Sequence, residues 1–262
     1  GCEGVGVART LTARRAEAGG GLEMRLTITN KGGRPMRMSA LGLAMAFDQN
    51  FVGRNLPQVA YQASFAEPFL GAGGGYVQVT RATGLGPVLL LLPLDGTPTS
   101  FEAWRPLRHE DKMQLDFMYE MSYELMLHTD AYTRPGGGWS KASPWNPGTA
   151  SASIAPGGSV SYGVSMVLAP NLQRVDATLL RAGRPVATPL PGPLLGHDML
   201  NASLLIEAPW ELPPGATPTV VAHPPTALRV GAPQRRAAGR SPCRGAAELA
   251  ACSPWLFALT PL

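Results

Sequence analysis

Three glycine- and proline-bearing clusters, GAGGG at 71–75, TGLGP at 83–87 and LDGTP at 94–98, leave only seven and then six residues between them. Pieces of that length suit strands, because a globular helix needs about eight residues or more. A fourth cluster, APGGS at 155–159, repeats the punctuation further on. Across the chain there are 31 Gly and 26 Pro with no collagen-like period. The composition therefore points to many turns between short strands, and to an all-β design.

The segments between turns carry the period of a strand. Leu22, Met24, Leu26 and Ile28 alternate with Glu23, Arg25, Thr27 and Thr29, giving one apolar and one wet face. AGGG at 18–21 links this segment to a similar one over 5–14, so two antiparallel strands open the domain. Further strands are expected at 36–47, 76–81, 88–93, 117–128, 159–168 and 199–207. The segment FMYEMSYELMLH, 117–128, also satisfies helical spacing. As a strand it presents Phe117, Tyr119, Met121, Tyr123, Leu125 and Leu127 on one face, opposite Glu120, Ser122, Glu124 and His128. The strand reading separates Glu120 from Glu124 by ~13 Å, beyond the roughly 5 to 9.5 Å of a glycosidase carboxylate pair. The convincing helix is PNLQRVDATLLRAG, 170–183, with Leu172, Val175, Leu179 and Leu180 on one face and Gly183 and Pro185 to stop it.

The expected organisation is mainly β. An antiparallel β-sandwich occupies 1–170, a connector helix and Pro-rich linker 171–195, a partial β segment 196–232, and an aperiodic, disordered tail 233–262. The tail holds Arg235, Arg236, Arg240 and Arg244 against Glu248. This leaves a body of 18 basic and 17 acidic residues, too balanced to track phosphates, so nucleic acid is excluded as a partner. No apolar run approaches the ~20 residues of a membrane helix. Cys2, Cys243 and Cys252 lie at the two ends and form neither a metal spacing nor a disulfide framework. The chain reads as lacking its true start.

Chemical motifs are scarce. No phosphate loop or dinucleotide fingerprint occurs, GGSVSYG at 157–163 is not a nucleophile elbow, and His109, His128, His197 and His223 are scattered singly. Neither a catalytic set, a metal site nor a cofactor is expected. What remains is a concentration of aromatic and polar side chains in one region. Phe101, Glu102, Trp104 and Arg105 fall within five positions; Tyr119, Glu120, Tyr123, Asp130, Tyr132, Trp139, Trp145 and Asn146 follow. Aromatic rings stack on the apolar faces of sugars while carboxylates, Asn and Arg take the hydroxyls, so the mixture suits a carbohydrate. The same rings also suit a sandwich core or a domain interface.

The ordered blocks LGLAMAFDQNFVGRNLPQV, GGGYVQVTRATGLGPVLLLLP, TPTSFEAWRPL, YELMLHTDAY, SPWNPGTASASIAPGGSVSYGVSMVLA and RPVATPLPGPLL, within residues 22–200, resemble the secreted family called domain of unknown function 5695. The resemblance implies a sandwich like the galactose-mutarotase supersandwich, followed in longer members by an α/α toroid like those of glycoside hydrolases. It implies a carbohydrate-active context, secretion, and a toroid partner missing from this chain. Under it, Phe101, Glu102, Trp104, Arg105, Tyr132, Trp139 and Trp145 become candidates for a substrate cleft or for an interface with the toroid. Asn201, in an Asn-Ala-Ser triplet, is a glycosylation candidate.

Overall fold

The computed structural model describes residues 4–14, 20–48, 53–71, 74–106, 122–136, 151–192, 202–210, 213, 215–222, 228–235 and 253–261. Two compact units divide the chain, Gly1–Leu172 and Gln173–Leu262.

In the first unit the strands are β1 (Val5–Arg14), β2 (Gly21–Asn30), β3 (Met36–Met38), β4 (Leu41–Ala46), β5 (Ser64–Gly71), β6 (Gly74–Arg81), β7 (Val88–Pro93), β8 (Ala103–Pro106), β9 (Ser122–His128), β10 (Ala152–Ile154) and β11 (Ser159–Ala169). Two short helices interrupt them, α1 (Leu56–Gln62) and α2 (Asp130–Thr133). Six strands form one antiparallel sheet in the order β1-β2-β11-β7-β6-β5; three form another, β4-β9-β8; and β10 pairs with β3. The core holds Ile28, Val77, Val79, Leu91, Tyr162 and Val164 of the larger sheet against Leu43, Met45, Leu125 and Leu127 of the smaller, with Phe101 and Ile154 between turns and strands. This is the expected antiparallel sandwich. Each fully buried aliphatic side chain contributes ~1.5–3 kcal/mol relative to exposure.

Local chemistry explains the elements. β2 meets β1 from Val5↔Asn30 to Arg14↔Gly21, so Met24, Leu26 and Ile28 share one face. Gly21 takes a positive φ of 123°, and a Cβ there would fall onto the carbonyl oxygen of Met166, so the last residue of the AGGG link must be glycine. In β7, Leu90, Leu91 and Leu92 are all buried, as an unbroken apolar run predicts. The ambiguous segment is a strand from Ser122 to His128; residues 117–121 lie outside the described residues. The expected strand 36–47 is broken into β3 and β4. Helix α1 went unanticipated because every one of its residues is at least partly exposed and it lacks an apolar stripe. Its start is nonetheless written in the sequence: Asn55 caps the Gln58 N–H, Gln58 returns the bond to the Asn55 N–H, and Pro57 sits in the first turn.

A 3-10 turn (Leu172–Arg174) spans the boundary in the chain and runs into α3 (Val175–Arg181) of the second unit, followed by β12 (Val186–Leu190), β13 (Ala202–Ala208), β14 (Leu228–Val230), β15 (Gln234–Arg235) and β16 (Ser253–Pro261). Helix α3 buries Val175, Ala177, Thr178, Leu179 and Leu180. Leu172, expected on that face, stays exposed in the preceding turn. Two expectations are corrected here. Part of the Pro-rich linker is β12, paired with β13 from Val186↔Glu207 to Leu190↔Ser203. The tail is not structureless, for β16 sits between β13 and β14 in the sheet and also carries β15. The alternation of Trp255, Phe257 and Leu259, all buried, supplies the reason.

Candidate functional site

The sequence candidates that fall on described residues converge where β8, β9 and α2 meet. β9 is the middle strand of its sheet. Across it, Trp104 of β8 stands opposite Leu125, which stands opposite Leu43 of β4; Arg105 likewise aligns with Glu124, and Pro106 with Tyr123. Cross-strand partners share a face, so this register places Trp104 on the side that carries the core leucines.

Trp104 is packed between rings. Its indole lies 4.7 Å from Tyr123 at 17° and 6.3 Å from Phe47 at 23°, and the partly buried side chain packs against the core. Its buried Nε1–H meets no hydrogen-bond acceptor. A ring stacked in this way has little face left for a sugar, so the structural role expected of an aromatic in a sandwich describes Trp104.

Glu102 is only 5% exposed. Its backbone N–H donates to the Met126 carbonyl at 2.8 Å, and its carboxylate accepts the Thr129 hydroxyl at 2.6 Å. The side chain therefore fastens the start of β8 to the end of β9. One residue on, Asp130 opens α2 and accepts from the Arg37 guanidinium at 2.9 Å. Tyr132, half-buried, donates its backbone N–H to the Thr129 carbonyl.

Beneath this corner lies a polar pair that sequence reasoning missed. His128 Nε2 and the Tyr162 hydroxyl are 2.6 Å apart, with the rings edge-on at 5.1 Å and 84°. Both residues are buried. Burial pushes the Tyr162 phenol up to about 12, so it stays neutral through the physiological range. His128 looked like one of four solitary histidines because its partner is 34 residues away on another sheet. Only the sandwich brings them together.

Phe101, expected at an interface, is fully buried in the core, directly after a Pro-broken turn. Arg105 contributes its backbone to β8. Tyr119, Glu120, Trp139, Trp145, Asn146 and Asn201 lie outside the described residues.

The model of a family of unknown function, DUF5695, matches residues 5–239. No curated protein matches the chain. Among solved structures, a polysaccharide lyase is similar over 99% of this chain and 30% of its own, with a TM-score of 0.56 and 11% sequence identity. That likeness is one of fold, and the chain spans about a third of the lyase's length.

Proposed function

The chain belongs to the DUF5695 family, and we propose that it is the non-catalytic β-sandwich module of a carbohydrate-active protein whose catalytic machinery resides on a helical toroid outside this chain. The observation that carries the reading is that Glu102, the most promising carboxylate of the sequence, is consumed in holding β8 to β9. Asp130 is likewise occupied by Arg37. Two candidate carboxylates that serve the fold itself fit a supporting role better than a hydrolytic one. The fold likeness to a polysaccharide lyase supports the carbohydrate-active context and widens the chemistry to be tested from hydrolysis to elimination. Of the alternative, a free-standing sugar-binding module using Trp104, Trp139 and Trp145, the Trp104 part is disfavoured by the rings stacked against its indole, and the other two tryptophans lie outside the described residues.

The test is a turnover screen of this chain over neutral and uronate polysaccharides, reading new reducing ends for either reaction and ultraviolet absorbance of unsaturated sugar for elimination. No turnover is expected from this chain. The helical region of a longer family member, added in trans, is expected to raise its melting temperature by mass action. Turnover by this chain alone would overturn the proposal.

A further inference from the structure

Exposed aromatic rings are few among the described residues, and they are not where the sequence concentrates its aromatics. Four are exposed, Tyr61, Phe65, Phe69 and Trp210, and three of these fall within nine residues leading into and along β5. β5 ends the six-stranded sheet, and its hairpin partner β6 aligns Phe65↔Thr80, Glu67↔Gln78 and Phe69↔Tyr76. These six side chains share one face. It is the face opposite Val77 and Val79, which enter the core.

The face has a definite chemistry. Phe65 is 43% and Phe69 47% exposed, and they stand ~13 Å apart along the strand. Phe69 stacks on Tyr76 at 4.7 Å and 18°, which leaves the other side of its ring for a ligand. Midway between the two phenylalanines, the Gln78 amide donates to the Glu67 carboxylate at 3.2 Å, so an exposed acceptor is held in a fixed position between two apolar platforms. Two further features argue against a protein strand as the occupant. Pro68 removes a backbone donor from β5, and Glu67 places a charge beside it; both discourage an edge from recruiting another strand.

We propose that the Phe65–Glu67–Phe69 strip, with Tyr76 and Gln78, is a binding surface for a neutral glycan chain. Flat rings take the apolar faces of sugar rings, and the exposed Glu67 carboxylate, held from beneath by the buried Gln78 amide, takes hydroxyls. The one charge in the strip is negative, so it favours a neutral polysaccharide over a uronate one. Its spacing suits an oligosaccharide lying along β5 more than a single monosaccharide. The inference borrows from the proposed function only the class of ligand, and it assigns that ligand to a surface well separated in sequence from the β8–β9–α2 corner.

The experiment is affinity electrophoresis of the full chain through native gels containing laminarin, xyloglucan, hydroxyethyl cellulose or polygalacturonate. At least one neutral gel is expected to retard the protein, and polygalacturonate is expected to retard it less. Phe69→Ala and Phe65→Ala are each expected to weaken the retarding interaction about tenfold, the scale of one lost ring contact. Phe69→Leu, which keeps apolar bulk but loses the flat ring, is expected to weaken it as much, while Val7→Ala on the far edge strand leaves it unchanged. Melting temperatures of the variants within about 2 °C of the parent establish that they fold. The proposal is overturned if no neutral glycan retards the chain, if the phenylalanine variants bind as the parent does, or if Phe69→Leu binds normally. It is also overturned if the strip variants lose only the stabilisation by the helical region in trans, which would make the strip a protein interface. These outcomes leave the turnover screen to decide the module reading separately.

Discussion

Replacing Tyr162 by Phe removes one hydroxyl and tests the buried pair beneath the β8–β9–α2 corner. The ring stays, so the edge-on contact with His128 at 5.1 Å is kept; what is lost is the 2.6 Å hydrogen bond to Nε2. Breaking such a bond within the core costs ~1–3 kcal/mol, because a buried histidine nitrogen loses this partner without gaining water. That is the expected difference near pH 8. The alkaline limb supplies a second, independent signature. Folding holds the phenol neutral, raised from 10.0 to about 12 by desolvation. Below pH ~10 both folded and unfolded tyrosine are neutral and the full stability is present. As pH rises from 10 through 12 the unfolded chain ionises first, and the stability linked to this residue is lost. At pH 11 the loss is about 1 kcal/mol, the scale of a tenfold change in the folding equilibrium. Tyr162→Phe has no such term. Urea titrations of both proteins, followed by far-ultraviolet circular dichroism at pH 8 and pH 11, should therefore show the gap closing by about 1 kcal/mol, with all other titrating groups cancelling in the difference. A gap that stays constant across that range, or none at pH 8, would refute the reasoning.

Trp104→Ala is expected to cost ~2 kcal/mol or more in a denaturant titration, since it empties a site between Phe47 and Tyr123; a ring serving only a sugar would cost almost nothing. Gly21→Ala is expected to destabilise the first unit by well over ~1–3 kcal/mol, through strained φ and a clash with the Met166 carbonyl together. Gly33→Ala, with no atom within 4 Å of its added Cβ, serves as the neutral control in the same thermal melts. Phe257→Ala is expected to cost ~3–5 kcal/mol, because its side chain is buried in β16; no change in unfolding would restore the unstructured tail. Burial raises the Asp176 carboxyl in the first turn of α3, so its charge opposes folding at neutral pH. Asp176→Asn is expected to raise the melting temperature at pH 7, and the gain should vanish as pH falls below the unfolded carboxylate range.

The sandwich was legible because its signals are local. Period-2 alternation in 22–28, the glycine link before it and the leucine run of β7 each force one backbone solution, and each is found. Tyr123, Leu125 and Leu127 likewise point inward as their alternation requires. Strand β16 was misread because the Ala-, Arg- and Pro-rich residues before it dominate the composition, although Trp255, Phe257 and Leu259 carry the alternation within it. Strand β12 was hidden by its prolines, which edge positions tolerate and β12, at the end of its sheet, accommodates.

The site divides differently. Sequence alone marks which residues are chemically costly, and it gathered Glu102, Trp104, Asp130 and Tyr132 into one region because β8, β9 and α2 are close in the chain. It could not say which way they face. Side-chain direction follows from register, and register from pairings between residues dozens of positions apart, such as Trp104 with Leu125 or Tyr162 with Leu26. Those pairings turned Trp104 and Tyr123 inward and brought His128 onto Tyr162. They left Phe65 and Phe69 in water on an edge strand that composition gave no reason to single out. What a residue is can be read from the chain; whether water reaches it is decided by which strand lies beside it.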